Sequence, residues 1–567
     1  MTMLAEQDGS PLAAAAAARQ LDQPAFISLL DPEQVRELAV SAPDGPLRGV
    51  PVALKDNLDL VGVPTTGACP SRDSPATATA APVQRLIDAG AVPIGKTNMD
   101  QFATGLVGTR SPYGACHSVG DPARISGGSS SGSAVAVAAG VVPLALGTDT
   151  AGSGRVPAAF NGLVGVKPTR GLISTRGLLP ACRSLDCVTT LTRTVEDART
   201  ALGVLVGYDA EDPRSRPLPA ALPPGVASVF TTLGVPSHRL DLDEEHGPRW
   251  AAAVQHARQL GLDLVDIDLA PFLETAQLLY EGPWVAERYA AVGEWIDADG
   301  PGLDPTVRSI IAAGARFSAV DAFRGMDRLA QLRRRTEPVW QHVDALLLPV
   351  TPGHPTLAEV AAAPVAVNSR LGTYTNFANL LDLSVVAVPA PPPRLGAPPF
   401  GVQLVAPALA DRPLLELASL WCGEGRTVTH ARPEGVTVVV AGAHMSGLPL
   451  NHLLTGRGGR FLRRARTAAG YRMTRVPAPG VPRPALVPGD GPPDGFPVEV
   501  WELPGQAVGA LANELSAPLC LGTVHLADGS SHLGYVGGAT GLSDGLDISA
   551  SGGWRGYLRT VAPLSPH

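Results

Sequence analysis

The stretch that decides the fold covers residues 126–154 and reads Ser-Gly-Gly-Ser-Ser-Ser-Gly-Ser-Ala-Val-Ala-Val-Ala-Ala-Gly-Val-Val-Pro-Leu-Ala-Leu-Gly-Thr-Asp-Thr-Ala-Gly-Ser-Gly. Two turns rich in glycine and serine, at 127–132 and 147–154, flank an apolar run. Within that run, residues 134–139 predict a buried helix and residues 141–146 a buried strand. Because glycine permits turns that other residues resist, the sequence predicts two hydroxyl-rich turns on one rigid scaffold.

Three interpretations of these turns differ in what should accompany them. A flexible linker fits poorly, because a buried apolar run follows at once. A phosphate loop fits poorly, since no Gly-Lys-Ser/Thr follows and no Gly-x-Gly-x-x-Gly opens the helix. The literal Walker match at 90–97 has an apolar middle, which predicts a strand. The third interpretation is a serine nucleophile, although residues 128–132 match the Gly-x-Ser-x-Gly elbow by letter only and lack its preceding strand.

A nucleophilic serine needs a base, and the candidate is Lys55, which follows the apolar run 49–54. By itself, such a lysine is typical of a strand end at the surface. Together, Lys55, Gly-Gly-Ser-Ser and Gly-Thr-Asp-Thr-Ala-Gly-Ser resemble the amidase signature family, over roughly residues 45–425. That family uses a serine–cis-serine–lysine triad whose serines lie 24 positions apart, as Ser129 and Ser153 do here.

The resemblance implies a role for each residue of the two turns. Ser153 is expected to be the nucleophile and Ser129, preceded by a cis peptide bond, the proton relay. Ser130 and Ser131 are expected to form hydrogen bonds within the loop. Acyl attack creates an oxyanion, which preorganised backbone N–H groups stabilise best. The donors expected for this oxyanion hole are those of Thr150, Ala151 and Gly152.

The expected role of Lys55 requires a neutral amine. Free lysine has a pKa of about 10.4, so a base that acts near pH 7–8 needs a decrease of about three units. Burial without a carboxylate partner has this effect. The adjacent Asp56 points to the opposite face of a strand and need not pair with Lys55.

The substrate is indicated by a resemblance to one branch of the family, the allophanate hydrolases. Three stretches and an additional C-terminal domain carry it, the stretches being 104–114, 180–188 and 379–383. Allophanate is a urea that bears a carboxylate, and this branch binds it with a tyrosine and an arginine eight positions apart, a spacing that Tyr280 and Arg288 share. Without that context, the pair would be interpreted as a helix face with a salt-bridged arginine. Arg183 is a further candidate for the same pocket.

The length of 567 residues predicts two to four domains, and the pattern along the chain predicts two main ones. Alternating strands and helices indicate an α/β core, and the resemblance implies the amidase signature fold, a mixed central sheet covered by helices, over residues 1–430 with a helical segment at 11–40. A polar, proline-containing stretch at 427–435 predicts the boundary. Residues 436–567 then predict a smaller α+β domain, whose first residues resemble a C-terminal domain related to the γ-glutamyl cyclotransferase fold.

Composition excludes several classes of protein. A net charge of −8 with 17% charged residues leaves no basic surplus for nucleic acid. Six cysteines without Cys-x-x-Cys or zinc-site spacing predict reduced thiols in a cytoplasmic protein. The longest apolar run, 134–146, is too short to cross a bilayer. The sequence implies no metal or organic cofactor, and a homodimer is expected.

The predicted function is amidohydrolysis of allophanate to ammonia and carbon dioxide via N-carboxycarbamate. The C-terminal domain is expected to assist decarboxylation, with His444 or His452 as the acid/base, and a urea carboxylase is the expected functional partner. One rival is the glutaminase component of a tRNA amidotransferase or another small-amide amidase, and the amidotransferase component would lack the C-terminal domain. The other rival is a non-catalytic scaffold that kept the fold.

Overall fold

The structure, a computed structural model, describes residues 10–217, 226–227, 229–391, 398–425, 435–457, 459–476, 481–515, 517–538 and 545–561. Contacts divide the chain into two units, one of Met1–Ala220 with Val229–Val428 and one of Ala221–Ser228 with Thr429–His567. The predicted boundary at 427–435 falls almost wholly outside the described residues. Among those residues, no helix combines the length and apolarity that crossing a membrane requires.

Within its described residues, the larger unit contains one sheet of eleven strands. The strands are β1 (Phe26–Leu29), β2 (Pro51–Lys55), β3 (Val92–Thr97), β4 (Leu144–Asp149), β5 (Val164–Lys167), β6 (Cys187–Thr192), β7 (Thr232–Pro236), β8 (Asp263–Ile267), β9 (Ala345–Pro349), β10 (Ser384–Pro389) and β11 (Gly401–Ala406). Their order is β1-β3-β2-β4-β6-β5-β10-β11-β9-β7-β8. Parallel pairs (β2 with β3 and β4, β7 with β8 and β9) lie beside antiparallel ones, so the sheet is mixed.

In the described part of the larger unit, helices alternate with the strands along the chain. They are α1 (Pro11–Gln20), α2 (Pro32–Ser41), α3 (Ala81–Asp88), α4 (Ser131–Ala138), α5 (Arg155–Phe160), α6 (Val195–Leu205), α7 (His246–Gln259), α8 (Ala270–Glu281), α9 (Trp284–Asp297), α10 (Pro305–Ala312), α11 (Ala319–Thr336), α12 (Leu357–Ala362), α13 (Pro364–Leu371), α14 (Phe377–Leu380) and α15 (Asp411–Trp421), with 3₁₀ turns at Gln101–Ala103, Ala313–Arg316 and Glu337–Gln341. The predicted α/β class with a mixed central sheet covered by helices is therefore confirmed.

The buried helix and strand predicted between the serine turns are present, with shifted ends. α4 begins at Ser131, inside the first turn, and packs against β2, β3 and β4. The strand begins at Leu144 rather than at residue 141, because the N–H groups of Val141 and Val142 both donate to the Ala136 carbonyl and close the end of α4. The segment 11–40 is helical as predicted, but it also contains the edge strand β1, which pairs with β3.

The smaller unit has a second sheet, with eight strands in the residues described. They are β12 (Val436–Val440), β13 (Arg460–Arg466), β14 (Tyr471–Val476), β15 (Arg483–Pro488), β16 (Pro497–Leu503), β17 (Leu519–His525), β18 (Ser531–Gly537) and β19 (Leu546–Asp547). The order is β13-β16-β12-β18-β15-β14-β19, and β17 also pairs with β18. The helices are α16 (His452–Thr455), α17 (Gly505–Asn513) and α18 (Trp554–Val561), with a 3₁₀ turn at Ser549–Ser551. A core of its own that includes Val439, Phe496 and Trp554 supports this unit.

A buried ion pair fixes the turn between β4 and α5. The fully buried guanidinium of Arg155 donates to Asp149 from Nε at 3.0 Å and from Nη2 at 2.9 Å. It also donates to Thr375, Asn379 and Gln403, at 3.0 to 3.1 Å. Burial alone would raise the pKa of Asp149, but the Arg155 charge outweighs burial and holds that pKa below its usual value.

We expect Arg155→Met to destabilise the larger unit by about 3–5 kcal/mol, because it leaves the Asp149 carboxylate buried and unpaired. Urea unfolding followed by circular dichroism measures the change. Arg334 lies at the surface with 83% of its side chain exposed, and Arg334→Met should leave the transition where it is. Equal transitions for the two variants would contradict a structural role for the pair.

Candidate active site

Lys55 lies at the end of β2, where the topology brings it to the second serine turn. β2 and β4 are parallel, with Leu54 opposite Leu146, so the ends of both strands reach the same edge of the sheet. The Lys55 side chain is fully buried. Its Nζ donates to Ser129 Oγ at 2.7 Å and to Thr148 Oγ1 at 2.8 Å. Strand pairing thus connects the lysine to both turns.

The surroundings of Lys55 favour a neutral amine. Burial lowers its pKa to about 7, against the opposing charges of Asp100, Asp149 and Asp186. Asp56, the next residue, turns away and lies 3.3 Å from the Nζ of Lys96 on the neighbouring strand. This buried pairing also explains the Walker-like match at 90–97, because Lys96 belongs to a strand and not to a phosphate loop.

Of the three serines in the first turn, only Ser129 contacts the lysine. The Gly128–Ser129 peptide bond is cis. Ser130 Oγ donates to the Thr148 carbonyl at 3.2 Å and Ser131 Oγ to the Asn98 carbonyl at 3.3 Å. Position 128 must be glycine, because a Cβ there would lie 2.1 Å from a carboxylate oxygen of Asp100.

Ser153 lies in the second turn, and the backbone joins it to the first. The Ser130 N–H donates to the Ser153 carbonyl at 3.1 Å. Ser153 Oγ donates to the Gly105 carbonyl at 3.5 Å, and no hydrogen bond joins it to Ser129 Oγ among the described residues. In the same part of the chain, the amides of Ala151, Gly152 and Ser153 find no protein acceptor. Free amides in one turn are what an oxyanion site requires.

The segment 103–106 connects these turns to the Tyr280–Arg288 pair. Arg288 donates to the Ala103 carbonyl at 3.4 Å and to Thr104 Oγ1 at 3.2 Å, while Gly105 accepts from Ser153. Phe102 and Ala103 both have left-handed backbones, with φ of 50° and 51°. Two such residues in succession are uncommon, and strained conformations of this kind cluster at functional sites.

Arg288 has free donors inside the protein. The side chain is 1% exposed, and its Nε and Nη2 have no hydrogen-bond partner. Its guanidinium carbon lies 5.5 Å from the centre of the Tyr280 ring. Tyr280 also lines a cavity of about 560 Å³, together with Arg110 and Asn368. The salt-bridged helix face is therefore the wrong interpretation, since no carboxylate of the described chain pairs with Arg288.

Arg183 has an exposed side chain, and its role in the substrate pocket stays a prediction. Its two neighbours contact the helix that carries Arg288, since Cys182 Sγ donates to the Trp284 carbonyl and the Ser184 N–H donates to Glu287. In the turn 182–186, the buried positions are taken by Cys182 and Asp186, and the long polar arginine is left to solvent.

Two further residues of the candidate site, Thr148 and Asp186, were not predicted from the sequence. Thr148 Oγ1 accepts from both Lys55 and Asn57, at 2.8 and 3.1 Å. Asp186 accepts from Thr150 Oγ1 and from the amides of residues 181 and 182. Burial raises the pKa of Asp186 to about 6. In the sequence, the only signal for Asp186 was that it is the single carboxylate of the stretch 180–188.

The two candidate histidines of the smaller unit, His444 and His452, differ in burial. His444 is buried and stacks on Tyr535, with ring centres 4.7 Å apart and planes 5° apart. Burial, together with the charges of Arg483 and Arg457, lowers its pKa to about 4. His452 is exposed, and its Nδ1 lies 2.8 Å from the Pro449 carbonyl. The described residues contain no cluster of three or more metal-ligating side chains.

Comparison with known families agrees with this geometry. The family described as Amidase matches residues 29–415, and the chain belongs to that family of hydrolases. The family described as Allophanate hydrolase C-terminal domain matches residues 436–559. The chain thus combines an amidase domain with the C-terminal domain of the allophanate hydrolases.

Individual relatives carry the same combination. A solved structure of Kluyveromyces lactis allophanate hydrolase is 37% identical, with a TM-score of 0.71 and 98% of each chain covered. The urea amidolyase of Lachancea kluyveri is 39% identical over 95% of this chain and 31% of its own length, so the chain spans about a third of that relative. A glutamyl-tRNA(Gln) amidotransferase component from Natronomonas pharaonis shares the amidase part alone, with 34% identity over 66% of this chain and 96% of its own length.

We expect Lys55 to be protonated below a pH of about 7 and neutral above it, because burial depresses its pKa. The sequence contains only three lysines, Lys55, Lys96 and Lys167, so selective ¹³Cε labelling gives three resonances to titrate by NMR. Lys55→Met identifies the resonance by removing it. A Lys55 resonance that keeps the usual lysine pKa would contradict the neutral amine.

Proposed function

We propose that the chain is an amidohydrolase that cleaves allophanate. The observation that carries the proposal is the buried Arg288 guanidinium, whose free Nε and Nη2 lie next to the segment that accepts from Ser153. A buried cation with unused donors is costly unless a ligand anion pairs with it. Allophanate offers a carboxylate to that cation and an amide carbonyl to the serine.

The proposed proton path runs from Ser153 through Ser129 to Lys55. The neutral amine already holds Ser129 Oγ at 2.7 Å, so it can accept the proton of that hydroxyl. Ser153 has to rotate away from the Gly105 carbonyl to reach Ser129. Its oxygen then attacks the terminal amide carbonyl, and the amides around Gly152 receive the oxyanion. Gly152 has a φ of 139°, a backbone that favours glycine.

The bonds and protons balance over the first reaction. The tetrahedral intermediate expels the terminal nitrogen, which takes the proton back from Lys55 through Ser129 and leaves as ammonia. Water then attacks the acyl–serine ester and releases N-carboxycarbamate. Decarboxylation of this dianion takes up one proton at nitrogen and gives carbon dioxide and carbamate. The breakdown of carbamate takes up a second proton and gives ammonia and a second carbon dioxide. We place assistance with the decarboxylation in the smaller unit, with His444 as the acid/base candidate.

The rival glutaminase function has support in the amidotransferase relative, but that match covers 66% of this chain. Residues 436–559 belong to a family described by allophanate hydrolase, which favours the proposed substrate. The urea amidolyase relatives are about three times longer than the part that matches this chain. Their names and their additional length favour the proposal that this chain acts together with a urea carboxylase, which would make allophanate from urea. We also propose that two copies of the chain assemble as a homodimer.

We expect Ser153→Ala to abolish acylation, and Lys55→Ala and Ser129→Ala to lower kcat by several orders of magnitude, since each removes a member of one proton path. Ammonia release from allophanate measures the effect. Ser131→Ala is the matched control, because its hydroxyl donates to the Asn98 carbonyl and not to the lysine. Wild-type turnover in Lys55→Ala would exclude the mechanism and favour a scaffold.

The proposed binding of the allophanate carboxylate by Arg288 predicts an effect that is selective for the charged substrate. If Arg288 binds the carboxylate, Arg288→Ala should lower kcat/KM for allophanate roughly tenfold or more beyond its effect on a neutral amide such as malonamide, because a hydrogen bond to a charged group is lost. Both substrates are assayed by ammonia release from the same preparation. Equal losses for both substrates would indicate a folding defect and would count against the carboxylate assignment.

A further inference from the structure

A carboxylate that the proposed proton path does not use lies against the second serine turn. β4 and β6 are antiparallel neighbours with Asp149 opposite Cys187, so the next residue in each direction places Thr150 across from Asp186. Thr150 and Asp186 are buried, with 1% and 5% of their surface exposed. Thr150 Oγ1 donates to Asp186 Oδ1 at 2.5 Å. Strand register therefore joins the two side chains.

Asp186 is held by hydrogen-bond donors and not by a cation. Besides the Thr150 hydroxyl, the amides of Ala181 and Cys182 donate to its carboxylate, at 2.9 and 3.2 Å. In the described part of the chain, no ion pair includes this carboxylate. Burial raises its pKa to about 6, although the three donors favour the charged form. At pH 7 and above, Asp186 is therefore a buried anion.

The turn 181–186 also contacts α9, the helix that carries the candidate arginine for the substrate carboxylate. Cys182 Sγ donates to the Trp284 carbonyl at 3.4 Å. Ser184 donates to Glu287 from its N–H at 2.7 Å and from its hydroxyl at 2.6 Å. The turn thus connects the two parts of the candidate site, the second serine turn on one side and α9 on the other.

A second connection joins the same two turns without the Asp186 carboxylate. Asn379 Nδ2 donates to the Asp149 carbonyl at 2.8 Å and to the Leu185 carbonyl at 3.0 Å. Arg155 donates to Asn379 Oδ1 at 3.0 Å and so fixes this amide. Loss of the Thr150 hydroxyl would therefore change how the second serine turn is oriented without releasing it from the sheet.

We propose that Asp186 is a positioning residue, which holds the Thr150 hydroxyl so that the amides after Thr150 point at the oxyanion. Those amides, at residues 151–153, find no protein acceptor in the described chain and directly follow the residue that Asp186 holds. An oxyanion is stabilised best by donors that are oriented before the reaction begins. The inference rests on the proposed role of Ser153 as the nucleophile.

The charge of Asp186 has a separate effect on the base. Burial has the largest influence on the pKa of Lys55 and lowers it to about 7. The charges that act on the same amine are those of Asp100, Asp149, Asp186 and Arg288. The three carboxylates raise the pKa, so removal of the Asp186 charge lowers it further. Because the amine accepts a proton only when it is neutral, the acid limb of the rate then moves to lower pH.

The test measures the second-order rate constant with which a fluorophosphonate labels Ser153 and loses fluoride. This reaction needs the nucleophile and the oxyanion amides but no recognition of a carboxylate. We expect Thr150→Val to lower the rate constant roughly tenfold or more, as for a lost hydrogen bond to a charged group, and Thr150→Ser to keep most of it. Thr190→Val is the matched control, because Thr190 on β6 is 1% exposed and its hydroxyl has no partner.

The pH profile of labelling separates the two effects of Asp186. We expect the acid limb to move to lower pH in Asp186→Asn and to stay in place in Thr150→Val. An unchanged rate constant in Thr150→Val with native circular dichroism would overturn the positioning role, even if Asp186→Asn does not fold. An unmoved limb in a folded Asp186→Asn chain would overturn the effect on the base.

Failure of the proposed function is a separate result, because it is measured by ammonia release from allophanate. A chain that is labelled at Ser153 but releases no ammonia would overturn the proposed substrate and leave the role of Asp186 in place. A wild-type chain that the probe does not label would overturn the role of Ser153 and this inference together.

Discussion

The burial of the Lys55 amine is the constraint on which the rest of the larger unit depends. A lysine in the interior keeps a neutral amine only where hydroxyl groups, and not carboxylates, receive its hydrogen bonds, and Ser129 and Thr148 provide them. The nearby carboxylates are held by other partners. Asp149 is bound by Arg155, and Asp56 by Lys96. Because Asp149 acts on the charge of Lys55, its pair with Arg155 has an electrostatic consequence for the lysine as well as a structural one.

The pairing of buried groups also bears on where a substrate would bind. Several buried polar atoms around the turns lack a partner, among them Thr189 Oγ1 and Thr375 Oγ1. The free donors of Arg288 differ from these because they belong to a buried cation, and the free amides near Gly152 because they lie together in one turn. In both places a group was left without a protein partner where a reacting molecule would supply one. Phe102 and Ala103 have left-handed backbones. The segment that follows contacts Arg288 through the Ala103 carbonyl and Ser153 through the Gly105 carbonyl.

Prediction from sequence succeeded where the pattern was local. The helix after the first serine turn and the strand before the second follow from runs of small and apolar residues. The burial of Lys55 was expected only from the role that the family resemblance implies. It failed where neighbours distant in sequence compete for one position. The strand β1 forms at the sheet edge because it pairs with β3, although the pattern of its segment is helical. That pairing is not visible in a single stretch of residues.

By itself the sequence determined the α/β class, the buried helix and strand between two hydroxyl-rich turns, and the presence of a second domain, because glycine spacing and apolar periodicity act over short distances. The roles of the lysine and of the serines were implied by the family resemblance. Only the tertiary structure decided which of three adjacent serines meets Lys55, and that Thr148 is its other partner. It also decided that Arg288 has no carboxylate partner among the described residues, and that Tyr535 lies against His444. These are outcomes of strand order and burial, which bring residues far apart in the sequence within hydrogen-bonding distance and leave a few donors unpaired.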